Sequence, residues 1–207
     1  MSEDDRGGGG VAAFDFDGTV SRRDTLLPFL QRLCGAQRVF RALAGTLAGS
    51  RADRDRFKDA VLIRLLAGRE RAEVEAAGAA YADFLLSAGR LRPEAVRRLT
   101  EHRDRDHRVV IVSASPEVYL VPLGQRLGVD AVLATRLAVG EDGRLTGRMD
   151  GRNCRGPEKV ARLESWLGSA APARLWAYGD SSGDRELLAR ADVGHLVRPR
   201  RPFPPLG

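Results

Sequence analysis

Two aspartates, Asp15 and Asp17, close the apolar run Val11-Ala12-Ala13-Phe14 and are followed at once by Gly18-Thr19. The run reads as a short buried strand. Strand alternation points both carboxylates the same way, beyond the strand's C-terminal end, and Gly18 permits a sharp turn there. Three further clusters could share a site with them. Ser113 ends the continuous apolar stretch Val109-Val110-Ile111-Val112. Lys159 stands in Cys154-Arg155-Gly156-Pro157-Glu158-Lys159, and Asp180 and Asp184 stand in Gly179-Asp180-Ser181-Ser182-Gly183-Asp184, after the apolar Leu175-Trp176-Ala177-Tyr178. This set suits phosphoryl transfer. A carboxylate can attack phosphorus and form an acyl-phosphate, splitting one hard step into two. A second acid can protonate the leaving oxygen and then deprotonate the attacking water. A hydroxyl and an ammonium can hold the phosphoryl oxygens as charge redistributes. Several carboxylates beside a phosphate repel it, and a hard divalent cation, Mg²⁺, would offset that repulsion.

The lysine is informative because the chain hardly uses lysine. Of its 34 basic side chains only two are lysines, Lys58 and Lys159. A compact ammonium and a planar guanidinium are not interchangeable at a phosphate.

Three of the four clusters fall at the ends of expected strands, and open α/β sheets place their ligands at such ends. Strand and helix signals alternate from 108 to 197: strands at Arg108–Pro116, Asp130–Thr135, Arg174–Tyr178 and Asp192–Val197, and helices opening at Pro93, Pro116, Pro157 and Ser182. A hairpin with an Asp142-Gly143 turn is expected from Leu137 to Arg148. The alternation predicts a Rossmann-like, doubly wound, mainly parallel sheet covered by helices. Between the first strand and Pro93 every signal is helical. Leu26, Leu27, Phe29, Leu30 and Leu33 form one face, and Val39, Phe40, Leu43 and Leu47 another; Asp53 or Asp55 opens a third helix, and Tyr81, Phe84 and Leu85 mark a fourth. The expected organisation is a disordered tail at 1–10, a core domain from 11–24 and 91–198, an inserted all-helical cap at 25–90, and an extended tail at 199–207.

Bulk properties narrow the class. The 207 residues suffice for one α/β domain with an accessory module. The net charge of +6 comes from arginines scattered among acids, which argues against a nucleic-acid surface. Cys34 and Cys154 are far apart and in no metal-ligand pattern, as expected of a reduced, cytoplasmic protein. The first ten residues lack the apolar stretch of a signal peptide, and no run approaches the ~20 apolar residues of an integral membrane segment.

From about 11 to 197, the four clusters in this order resemble the haloacid dehalogenase-like hydrolase superfamily. The helical insert and the hairpin resemble its phosphoserine-phosphatase-like branch. The resemblance implies Asp15 as nucleophile, Asp17 as acid/base and Lys159 as the third-motif lysine. It implies Thr19, Ser113 and the adjoining Ala114 at the phosphate. Asp15, the backbone carbonyl of Asp17, and Asp180 would hold Mg²⁺, with Asp184 as the supporting acid of the fourth motif. Asp24 stands where phosphoserine phosphatases carry a substrate-contacting Glu. Phe57 and Arg64 are similar to a Phe and an Arg of their cap, and would lie on one helix face. Three departures bear on the substrate: Ala114-Ser115-Pro116 replaces the usual glycines after the serine, Gly183 replaces the usual Asn, and Asp24 is one methylene shorter than the Glu it stands for.

The expectation is therefore a Mg²⁺-dependent phosphomonoester hydrolase acting on a small phosphorylated metabolite, phosphoserine-like substrates included, as a monomer or homodimer. The alternatives are a phosphotransferase, a lipid-headgroup phosphatase using the amphipathic segment 25–48 with Arg32, Arg38 and Arg41, and a non-catalytic phosphate-binding module. A lid that excludes and then admits water implies that the cap moves, on linkers near 20–25 and 88–93.

Overall fold

The place of Val11–Phe14 in the sheet explains why it is wholly apolar. In the computed structural model, which describes residues 9–47, 54–169, 171–198, 201, 203 and 206, this segment is strand β1. It pairs in parallel with β2 (Arg108–Pro116) on one side and β5 (Leu175–Gly179) on the other. With strands on both edges and helices over both faces, all four side chains are fully buried. The sheet continues through β3 (Ala131–Val139), β4 (Leu145–Asp150) and β6 (Val193–Leu196) in the order β4-β3-β2-β1-β5-β6. Only the β3–β4 hairpin is antiparallel.

Alternate residues of β1 and β2 feed two apolar layers. Ala12, Phe14, Val109 and Ile111 face the larger core, while Val11, Ala13, Val110 and Val112 face Leu163, Leu167 and Leu187. The last three belong to α7 (Pro157–Leu167) and α8 (Arg185–Arg190). Between β1 and α5 (Pro93–Arg103) lie four helices, α1 (Leu26–Cys34), α2 (Ala36–Leu47), α3 (Arg54–Leu66) and α4 (Arg71–Ser87). The two linkers joining them to the sheet run side by side. Ser21 and Leu91 form an antiparallel bridge, the Arg22 amide donates to the Arg90 carbonyl at 3.0 Å, and the Arg92 amide donates to the Val20 carbonyl at 2.9 Å.

Several expectations change. The strand expected over Asp130–Thr135 and the first arm of the hairpin are one strand, β3. Arg136 interrupts the apolar pattern without breaking the backbone, because it points outward on a strand still paired with Asp150 of β4. Gly9 and Gly10 do not belong to a loose tail: their carbonyls accept from Ala173 and Arg108 at 3.3 and 2.9 Å, extending the parallel pairing. Phe203, expected in an extended tail, packs its ring 5.6 Å from that of Tyr178. Phe40 and Leu27 are exposed rather than packed. The tail through Gly8, the side chain of Leu47 and the helix start at Asp53 lie outside the described residues. No helix among the described residues is long and apolar enough to cross a membrane.

Candidate active site

The C-terminal ends of β1, β2 and β5 open onto one cleft of about 790 Å³. Asp15, Asp17 and Gly18 enter it from β1, Ser113 and Ala114 from β2, Asp180, Ser181, Gly183 and Asp184 from the end of β5, and Lys159 from the first turn of α7. Four segments far apart in the sequence, from Asp15 to Asp184, thus converge, as the parallel order of the strands requires.

Lys159 is the hub. Its Nζ donates to Asp15 Oδ1 at 2.5 Å and to Asp184 Oδ1 at 2.6 Å, and all three side chains are buried. Burial works against its charge, but the two carboxylates outweigh that and hold its pKa above the ordinary lysine value. Burial pushes Asp15 up to about 7; Lys159 opposes the rise and Asp184 adds to it. The other oxygen of Asp184 accepts from the Ser181 amide at 2.9 Å, the Ser181 hydroxyl at 2.8 Å and the Asp180 amide at 3.2 Å. Asp184 therefore braces both the lysine and the loop carrying Asp180.

Asp17 turns away from that cluster. Its Oδ1 accepts from the Thr25 amide at 2.9 Å and the Thr25 hydroxyl at 2.7 Å, and its Oδ2 from the Ser115 hydroxyl at 2.5 Å. Thr25 is itself fixed by the Tyr119 hydroxyl at 3.1 Å and by Tyr81, which donates to its carbonyl at 3.1 Å. Burial, then the charge of Asp24, push Asp17 up to about 6 against the hydrogen bonds of Ser115 and Thr25. A carboxyl near neutrality that is held by fixed donors suits proton transfer at physiological pH. Sequence reading missed Thr25, Tyr81 and Tyr119, and met Ser115 only as a departure from a motif.

One carboxylate oxygen from each of Asp15, Asp180 and Asp184 lies within 4.8 Å of the other two. An all-oxygen, carboxylate-rich set matches the preference of a hard divalent cation. Gly18, at φ 82°, brings the Asp17–Gly18 backbone against the same place: a Cβ on Gly18 would stand 2.1 Å from Asp180 Oδ2. Arg92, on the second linker, donates to the Gly18 carbonyl at 3.0 Å and pairs with Glu94, also at 3.0 Å, which fixes this turn from the cap side.

Not every expected residue reaches the cleft. Thr19 is fully buried with no hydrogen-bond partner for its hydroxyl among the described residues, and does not line the cleft. Asp24 does line it, while also accepting from the Leu27 amide at the head of α1 at 3.2 Å. Phe57 packs against the apolar core. Arg64 reaches across to the Gly45 carbonyl of α2 at 3.4 Å, away from the cleft. A spacing of seven puts Phe57 and Arg64 on one face of α3, but the face is turned toward α2 and the core.

From α3, Lys58 approaches the site. Its Nζ donates to the Ala114 carbonyl, next to Ser113, and to Asn153 Oδ1 at 2.8 Å. Asn153 in turn donates to Asp55 at 2.7 Å. Burial pushes Lys58 down to about 8, with Asp55 and Asp17 opposing. That lysine was visible in the sequence as one of only two. Lys58→Met removes the ammonium from two acceptors inside the cap–core contact. It is expected to lower stability by about 1–3 kcal/mol, read from urea unfolding, and to lower kcat/KM by about tenfold through the loosened Ser113–Ser115 turn.

An α/β domain with a helical insert after its first strand, and an Asp-Asp-Ser-Lys-Asp constellation in the cleft at its strand ends, the lysine supplied by a helix, defines a class of capped hydrolases. A family model described as haloacid dehalogenase-like hydrolase matches residues 12–189. Protein CicA of Caulobacter vibrioides is 40% identical over 187 residues, covering 88% of this chain and 83% of that one. A phosphoserine phosphatase of Archaeoglobus fulgidus is 33% identical over 146 residues, 67% of this chain and 39% of that one. The crystal structure of a protein of unknown function from Bordetella pertussis Tohama I superposes with a TM-score of 0.73 at 24% identity, covering 89% of this chain and 87% of the other. The chain belongs to the haloacid dehalogenase-like hydrolase family.

Proposed function

We propose that the chain is a Mg²⁺-dependent phosphomonoester hydrolase working through a phospho-Asp15 intermediate on a small phosphorylated metabolite in the cytoplasm. The observation that carries this reading is the convergence of Asp15, Asp17, Ser113, Lys159 and Asp180 on one polar cleft. The similarity to the phosphoserine phosphatase of Archaeoglobus fulgidus supports the phosphatase class.

Lys159 holds one oxygen of Asp15, which leaves the other to attack phosphorus in line. A P–O bond forms as the ester P–O bond breaks, and Asp17 gives its proton to the departing oxygen. Asp17, now a carboxylate, takes a proton from the water that attacks the acyl-phosphate; phosphate leaves and Asp15 is restored. Ser113 and Lys159 hold the equatorial oxygens through both displacements. Asp15, Asp180 and the Asp17 carbonyl would hold Mg²⁺, which supplies charge neutralisation at the phosphoryl group. The paired linkers at Ser21 and Leu91 form the hinge on which the cap opens to water.

The test is turnover of p-nitrophenyl phosphate with Mg²⁺ and with EDTA. Activity that EDTA abolishes and Mg²⁺ restores is expected. Turnover indifferent to chelation, or none on a broad phosphomonoester panel, would overturn the reading.

A further inference from the structure

The cleft's lining bears on what it accepts. Among the described residues, every side chain that lines it is charged, a serine hydroxyl, glycine or alanine, and no aromatic or branched aliphatic group reaches it. An apolar leaving group would therefore gain no burial there.

Its cations fall into two sets. Lys159 is taken up by Asp15 and Asp184, and Arg92 by Glu94. Arg22 and Arg23, from the first linker, are exposed, and their side chains make no hydrogen bond or ion pair within 4 Å among the described residues; the charge of Arg22 is felt weakly at Glu94. Arg155, from the segment before α7, has only the Ser182 hydroxyl at 3.3 Å. No acid of the cleft forms an ion pair with these three among the described residues. Asp15 and Asp184 are engaged by Lys159, Asp17 by Thr25 and Ser115, Asp24 by the head of α1 and Glu94 by Arg92, and Asp180 stands beside Asp15 and Asp184.

Gly183 makes room for Arg155. A Cβ there would lie 3.0 Å from Arg155 Nε and 3.1 Å from its Cγ. The guanidinium stem thus lies directly on the loop that carries Asp180 and Asp184, and a side chain at 183 would displace it.

We propose that Arg22, Arg23 and Arg155 form a second anion subsite, and that the substrates are small hydrophilic phosphomonoesters whose leaving group carries a further carboxylate or phosphate. This rests on the phosphomonoesterase reading above. Guanidinium forks match both anions bidentately, and the apolar-free lining selects against a lipid tail.

The test compares matched probes: phosphoglycolate against ethyl phosphate, 1,3-propanediol bisphosphate against propyl phosphate, and octyl phosphate as the lipid-like arm. The probes whose leaving group carries a second anionic group are expected to show kcat/KM at least about tenfold above their partners without one, consistent with a charge-assisted contact. The triple variant Arg22→Gln, Arg23→Gln, Arg155→Gln should erase that advantage, mainly through KM, and Gly183→Asn should erase part of it. The stronger of the two probes with a second anionic group decides between carboxylate and phosphate. Equal rates within each pair, an equal loss on both members in the triple variant, or a preference for octyl phosphate would overturn the subsite. Calorimetric binding of the same probes separates this from the catalytic reading. With no turnover of any probe the reaction falls, whereas tighter binding of phosphoglycolate, lost in the triple variant, upholds the subsite and equal binding removes it.

Discussion

Asp15→Asn is expected to lower phosphatase turnover by a factor on the order of 10⁴ or more, the scale seen when a covalent nucleophile is removed, while the protein stays folded. The amide is nearly isosteric but offers no anionic oxygen to phosphorus. Lys159 keeps its bond to Asp184 at 2.6 Å, so the hub is not orphaned. Burial already opposes the charge of Asp15, so removing that charge relieves a desolvation cost as it removes an ion-pair partner. The thermal midpoint should therefore move little. Asp17→Asn gives the complementary result with p-nitrophenyl phosphate, whose leaving group needs no proton. The first displacement proceeds, but nothing takes the proton from water, and a phosphorylated protein accumulates that mass spectrometry places on Asp15. Full activity in Asp15→Asn, or a phosphoryl group found elsewhere, would end the covalent reading.

What the sequence made legible has a physical basis. β1, β2 and β5 are buried on both faces, so they read as unbroken apolar runs, and the first polar residue after each run is the one that reaches the cleft. Lys159 stood out because, Lys58 aside, the chain writes its positive charge as Arg. Hidden were the contacts that depend on how one element is rotated against another. A spacing of seven showed that Phe57 and Arg64 share a face of α3; it could not show that the face looks at α2, while Lys58 looks at the Ala114 carbonyl. The donors to Asp17 come from a linker and a strand end almost a hundred positions apart, Thr25 and Ser115, and each alone is an ordinary turn hydroxyl. Phe40 fits a helical apolar face in periodicity yet is 72% exposed, because nothing among the described residues packs against its side of α2. Two of the departures from the phosphoserine-phosphatase pattern proved to be the informative positions. Ser115 became a donor to Asp17, and Gly183 became the space Arg155 occupies.

Lys159→Met is the substitution expected to hurt stability most. It leaves Asp15, Asp180 and Asp184, which bring one carboxylate oxygen each within 4.8 Å of one another, without the one ammonium bonded to two of them. Stranding buried charges in this way costs about 3–5 kcal/mol. The cost should depend on pH in a stated direction. Asp15 has a folded pKa raised above its unfolded value, to about 7 even with Lys159 opposing the rise. The unfolded chain therefore releases that proton at lower pH than the folded one, and stability is present below the unfolded carboxylate pKa and lost as pH rises through the folded pKa. Without Lys159 the folded value climbs further and the loss extends to higher pH. Urea unfolding of the variant should show a large deficit near about pH 8 that shrinks by several-fold near about pH 5, where the cluster can hold protons. Turnover should be lost at both, by about 10²-fold or more, since the phosphoryl oxygens lose a fixed cation. A deficit that does not change with pH would mean that Lys159 is worth its packing rather than its charge, and the electrostatic account of the hub would fail.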